Sequence, residues 1–176
     1  MRRRFLGLLL VITTVFSIFP ATSVGAAGEQ PLDVDFYAAT YFQNDLSLVY
    51  YCKINTPGDY KNLRLDVSFQ KFSGASDSYT WENRVIKEYT YDAEKGMYRF
   101  MFRGINATEM GSTLKTTLKT EIGNQTYASS EKQFSIKQYA KQLLESKMGS
   151  TAKIDKLLCT LLVDMLNYGS AAQNYF

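Results

Sequence analysis

The chain has 176 residues, with 20 Lys and Arg, 17 Asp and Glu, and no histidine. The absence of histidine removes Ser-His and Cys-His nucleophile pairs and the commonest zinc and non-haem iron ligands. Three of the basic residues and none of the acidic ones lie in the first 27 positions, so 17 of each remain in the other 149 residues; this neutral balance without basic runs argues against nucleic acid or an anionic membrane as the main partner.

Residues 1–27 read as a secretory signal peptide. Arg2, Arg3 and Arg4 form a positive start, Phe5 to Phe19 an apolar stretch short for a membrane span, and Pro20 to Ala27 a small-residue cleavage zone. Val24-Gly25-Ala26 and Gly25-Ala26-Ala27 both suit a signal peptidase, and the boundary is set at Ala27. Arg3-Arg4 with Phe5-Leu6 also resembles a twin-arginine core, but the very short start favours general secretion. The protein is expected to be secreted and extracellular, with cell-surface association, and to carry no transmembrane span once the leader is removed.

From Val34 to Phe134 the pattern predicts seven strands: Val34 to Phe42, Leu46 to Asn55, Leu63 to Phe72, Arg84 to Tyr91, Met97 to Arg103, Thr113 to Ile122 and Gln125 to Phe134. Gln43-Asn44-Asp45, Pro57-Gly58-Asp59 and Asp92 to Gly96 supply turns, and Gly123-Asn124 a two-residue hairpin. Alternation in Leu63, Leu65, Val67, Phe69 and in Tyr98, Phe100, Phe102 gives each strand one dry and one wet face. The expected fold is an immunoglobulin-like antiparallel β-sandwich over residues 28–134. Asn106 to Met110 reads as a helical turn at its edge. Asn106-Ala-Thr108 and Asn124-Gln-Thr126 match the N-glycosylation pattern, which matters only where that pathway exists.

Beyond Phe134 the period changes from two to 3.6. Ser135 caps a helix that aligns Ile136, Tyr139, Ala140, Leu143 and Leu144; Met148 to Thr151 breaks it; a second helix carries Ile154, Leu157, Leu158, Leu161, Leu162, Met165 and Leu166, then Tyr168, Ala172 and Tyr175. Residues 135–176 are thus a helical hairpin packed on the sandwich. Leu158, Leu161, Leu162 and Met165 are expected in the core, and Tyr168, Tyr175 and Phe176 form a candidate interaction surface. Cys52 falls on the apolar face of its strand and Cys159 beside the helical stripe; two reduced thiols are expected, with a single bridge between them as the alternative.

The ending Leu162-Val163-Asp164-Met165-Leu166-Asn167-Tyr168-Gly169-Ser170-Ala171-Ala172-Gln173-Asn174-Tyr175-Phe176 resembles the "MLNYGxAAQxYF" helix of a module recurring in secreted and cell-surface proteins of Gram-positive anaerobes. Ile105 to Leu118, with Ala107-Thr108-Glu109-Met110 ahead of a strand, and Phe134-Ser135-Ile136-Lys137-Gln138-Tyr139-Ala140, resemble its other recurrent stretches. The module is uncharacterised, so the resemblance implies an extracellular role and no reaction. Larger relatives continue beyond the aromatic-ended helix, whereas this sequence stops at Phe176.

Catalytic signals are weak. Ser150-Thr-Ala-Lys153 and Ser129-Ser-Glu-Lys132 match Ser-x-x-Lys without a following Lys-Thr-Gly, and no Gly-x-Ser-x-Gly, P-loop or dinucleotide fingerprint occurs. Glu82 with Glu88 is one of many scattered acid pairs. No catalytic residue, metal site or cofactor is expected, and the chain is read as a non-catalytic interaction or accessory module whose partner is a protein or a cell-surface glycan. Without the leader's three phenylalanines there remain 13 Tyr, 8 Phe and 1 Trp. Tyr79 with Trp81, and Tyr89 with Tyr91, share strand faces on which sugar rings stack, which makes carbohydrate binding the second reading and hydrolysis the third.

Overall fold

An alternating run becomes a strand when one of its faces is dry, and the dry faces here meet one another across two sheets. The computed structural model describes residues 28–42, 46–73 and 79–175; the leader, Phe176 and the turn 43–45 lie outside the described residues. In chain order the strands are β1 (Gln30–Leu32), β2 (Val34–Phe42), β3 (Leu46–Ile54), β4 (Tyr60–Phe72), β5 (Tyr79–Ile86), β6 (Tyr89–Asp92) and β7 (Met97–Ile105). A 3₁₀ turn (Ala107–Glu109) precedes β8 (Leu114–Ile122), β9 (Gln125–Ser129) and β10 (Lys132–Phe134), and the helices α1 (Ile136–Lys147) and α2 (Lys153–Tyr175) follow.

The first sheet runs β1-β9-β8-β4-β5, with β10 also on β8; the second runs β2-β3-β7-β6. Pairing is antiparallel except for β1 on β9. In immunoglobulin notation β2, β3, β7 and β6 are A, B, E and D, and β5, β4, β8 and β9 are C′, C, F and G, so the domain is an immunoglobulin-like sandwich. Its core joins Leu48, Tyr50 and Cys52 of β3, Leu65, Val67 and Phe69 of β4, Phe100 and Phe102 of β7, and Leu114 and Leu118 of β8. Phe69 and Phe102 meet edge to face across the sheets at 5.2 Å.

Two predicted strands divide. Arg84 to Tyr91 contains the end of β5 and the start of β6, which belong to different sheets; the chain changes sheet at Lys87-Glu88. Gln125 to Phe134 is β9 and β10, interrupted at Ser130-Glu131, because Ser129 turns its hydroxyl to accept from Leu118 N–H at 2.9 Å and to donate to the Ser130 carbonyl at 3.1 Å. β4 starts three residues earlier than predicted, through a bulge at which Asn62 adopts φ 51° and donates its amide to Glu121 at 2.7 Å. The Gly123-Asn124 hairpin forms as read, pairing Ile122 with Gln125, with Gly123 at φ 62°.

The helices join the same core. Ile136, Tyr139, Ala140 and Leu143 of α1 and Leu158, Leu162 and Met165 of α2 are buried with the sandwich residues. Ser135 caps α1 by accepting from Gln138 N–H at 3.4 Å. Between the helices, Ser150 donates to Asp155 at 2.7 Å and Lys147 pairs with the same carboxylate at 3.2 Å. Cys52 is buried and Cys159 half-buried, and both thiols are free.

Candidate functional site

The sheet change at Lys87-Glu88 decides how the aromatic candidates lie. Register pairs Trp81 with Gln70, whereas the core residue Phe69 pairs with Glu82, so Trp81 points outward from the first sheet. About half of it is exposed, and Lys115 Nζ stands 5.3 Å from its ring centroid. Beside it Ser68 donates to Asn83, giving a polar floor around a single ring. Tyr79 shares that strand but serves packing: its ring contacts Phe72 at 5.7 Å and its phenol accepts from Gln173 at 3.2 Å.

Tyr89 and Tyr91 face the other way. β6 pairs them with Phe100 and Tyr98, on the inner face of the second sheet, yet they stay 45% and 56% exposed. Tyr98 lies 5.5 Å from Tyr89 and 4.8 Å from Tyr91, and Tyr60, at the start of β4, meets Tyr98 edge to face at 6.2 Å. Partial burial and then the neighbouring phenols raise the Tyr98 hydroxyl above its ordinary range, and burial and then Tyr91 do the same for Tyr60. Four phenols from both sheets therefore converge in one cluster. Tyr79 and Trp81 are not part of it. Tyr60 and Tyr98 escaped the sequence reading because Tyr98 continues the Phe100-Phe102 core alternation and Tyr60 precedes the predicted start of its strand.

The second candidate surface is on α2. Leu158, Leu162, Met165 and Gly169 form its buried stripe. Leu161, expected in the core, is instead exposed together with Ile154, Leu157 and Tyr168, each 51 to 66% uncovered, and Tyr175 is exposed at the helix end. The reason is angular: position 161 lies about 60° from 158 around a helix of 3.6 residues per turn, outside the stripe that meets the sandwich.

The three stretches that carry the resemblance converge at the 3₁₀ turn. Gly169 sits so close that an added Cβ would lie 2.9 Å from Met110 Sδ and 3.2 Å from the Ala107 carbonyl. Gln173 donates to the Thr108 carbonyl at 2.6 Å, and Lys137 N–H donates to the Met110 carbonyl at 3.0 Å. These positions are tied to packing rather than to an open cleft.

The weak catalytic candidates are engaged in structural bonds. Ser129 is buried and bonded to backbone at both lone pair and proton; Ser150 bonds Asp155 and Ala152 N–H; Glu82 is held by Arg84 at 2.7 Å and Lys71 at 3.6 Å. Among the described residues no three His, Cys, Asp or Glu side chains gather as metal ligands, and no helix is long and apolar enough to cross a membrane.

No family model matches the chain, and no curated protein matches it. Among solved structures it is similar to the crystal structure of the Br derivative of BhCBM56, at 11% identity over 57% of this chain and 90% of that one, with a TM-score of 0.35. A likeness at that level carries neither a family nor a ligand to this chain.

Proposed function

We propose that the protein is a non-catalytic, secreted or cell-surface module that works by docking on a protein through the uncovered apolar flank of α2. The observation that carries this reading is the exposure of Ile154, Leu157, Leu161 and Tyr168 along one side of a helix whose other apolar stripe is already buried. Apolar side chains grouped on one surface, rather than scattered, mark interaction sites. The leader supports an extracellular location, and the likeness to the recurrent extracellular module, with its three stretches meeting at the 3₁₀ turn, supports a shared scaffold. A photo-reactive residue at position 161 tests the reading in cells that secrete the protein. A discrete cross-linked product from 161, absent from the same probe at Val85 on the first sheet, is expected; equal yields from both positions would overturn it.

A second reading, glycan binding, is favoured by the phenol cluster. Tyr89 and Tyr91 offer exposed ring surface, and Tyr60 and Tyr98 bring further hydroxyls, which together suit a neutral ligand with both C–H faces and hydroxyl groups. Trp81 on its polar floor is a separate platform for the same chemistry. A glycan and polysaccharide screen of residues 28–176 tests both patches. Binding lost in Tyr91→Ala assigns the cluster, binding lost in Trp81→Ala with the fold intact assigns the sheet face, and no retained glycan ends this reading.

A further inference from the structure

The open flank of α2 has a period. Its positions are 154, 157, 161, 164, 168, 171 and 175, alternating steps of three and four, which is the a/d spacing of a helix that packs lengthwise on another helix. The buried stripe, Leu158, Leu162, Met165 and Gly169, has the same spacing about a quarter-turn away around the axis. The helix thus carries two seams, and its own domain fills one. In the open seam Ile154, Leu157, Leu161 and Tyr168 are large and exposed, while Asp164 and Ala171 are the polar and small members.

We propose that the open seam pairs with the same seam of a second copy, antiparallel, to form a two-fold symmetric dimer. This names the partner for the docking reading above and rests on it. Self-complementarity selects the partner. With one α2 reversed against the other so that Leu161 meets the second copy's Asp164, Ile154 falls opposite Ala171 and Leu157 opposite Tyr168, and each relation repeats across the two-fold axis. Large residues then face smaller ones through much of the seam. A parallel pair would instead set Asp164 against Asp164 in the seam, an unfavourable like-charge contact. In the reversed arrangement the uncharged Thr160 and Asn167 border the seam opposite each other.

Area agrees with this choice. Four large side chains more than half uncovered, with Ala171 between them, offer on the order of 500 Å² per copy, so the pair encloses roughly 1,000 Å², the lower range for specific association and a scale that fits micromolar affinity. The 23-residue helix is about 34 Å long, enough to hold every layer of the seam.

Sedimentation velocity on the secreted chain, from about 1 to 200 µM, tests the proposal. A reversible monomer–dimer equilibrium is expected, weakened about 100-fold by Leu157→Glu with Leu161→Glu and tightened about 10-fold by Asp164→Leu, with melting of the dilute monomer unchanged by the exposed substitutions. Orientation is read in a Cys159→Ser background: a mixture of Leu157→Cys and Tyr168→Cys chains forms the mixed disulfide, whereas self-linked Leu157→Cys chains would overturn the antiparallel arrangement. A wild-type chain that stays monomeric, or a dimer indifferent to the two glutamates, overturns the proposal. Labelling of Leu161→Cys in the monomer separates the two claims: a fast reaction shows an open seam, so that only the second copy is excluded, and a shielded thiol removes the docking reading as well. Pelleting of a monomer with phosphatidylglycerol vesicles, lost with the two glutamates, would give the seam to lipid and also overturn the dimer.

Discussion

Gly169 shows how much depends on one missing methyl group. Glycine inside a helix costs about 1 kcal/mol relative to alanine, so substitution ought to stabilise α2. Here the new Cβ would sit 2.9 Å from Met110 Sδ and 3.2 Å from a backbone carbonyl in a buried contact. The sulfur can shift, but Met110 is itself enclosed and the carbonyl is fixed by the 3₁₀ turn. Overpacking of this kind costs about 1 to 3 kcal/mol, which exceeds the gain in propensity. Gly169→Ala is therefore expected to lower the midpoint of denaturant unfolding, and a rise would show that the 3₁₀ turn yields easily. Gln173 belongs to the same joint, because its amide bridges the Thr108 carbonyl and the Tyr79 phenol. The second bond ties the Tyr79 phenol, on the strand that carries Trp81, to α2.

At the scale of elements, α2 separates what periodicity can and cannot say. The apolar pattern located both helices and the stop at Met148 to Thr151, but it could not distinguish a helix with one wide stripe from a helix with two narrow ones. Leu162→Ala is expected to cost about 2 to 5 kcal/mol, whereas Leu161→Ala should stay within about 0.5 kcal/mol in the monomer, as calorimetry at low concentration can check. The strands divide the same way. Alternation in β4 and β7 located the core, because a two-residue period with one dry face leaves little choice of register. The passage from β5 to β6 left no trace, since Lys87-Glu88 has no glycine or proline and the odd-numbered aromatic spacing continues across it. The two aromatic pairs, Tyr79 with Trp81 and Tyr89 with Tyr91, therefore stand on different sheets. The turn between the helices adds a pH dependence. The Ser150 hydroxyl, and then Lys147, hold the Asp155 carboxyl below its ordinary range. A carboxylate with a lowered folded-state pKa contributes stability above its unfolded value, and that contribution disappears as pH falls through the folded one. Asp155→Asn should therefore melt below wild type at neutral pH and approach it at pH values under about 4; parallel curves throughout would show that the turn is indifferent to this charge.

For the whole molecule, sandwich and helices share one buried cluster, and the short strand β1 is part of the same assembly. β1 adds to the first sheet by pairing Gln30, Pro31 and Leu32 with Tyr127, Ala128 and Ser129, and Leu32 is buried. Just ahead of it Glu29 forms a 2.8 Å ion pair with Lys119, which also approaches Asp66 at 3.6 Å. Processing deeper than Glu29 would leave Lys119 with a single distant carboxylate and begin to remove the strand. Processing well before Ala26 would retain part of an apolar leader on a folded surface. The small residues Val24 to Ala27 lie between these limits, where a signal peptidase acts. N-terminal sequencing of the protein recovered from culture medium is therefore expected to begin between Ala26 and Glu29. Intact Met1 in the membrane fraction would mean that the leader is an anchor, and the extracellular reading would then have to be rebuilt around a tethered protein. If the start is found beyond Leu32, β1 is dispensable; the first sheet must then close on β9, and Lys119→Ala should leave the melting temperature unchanged.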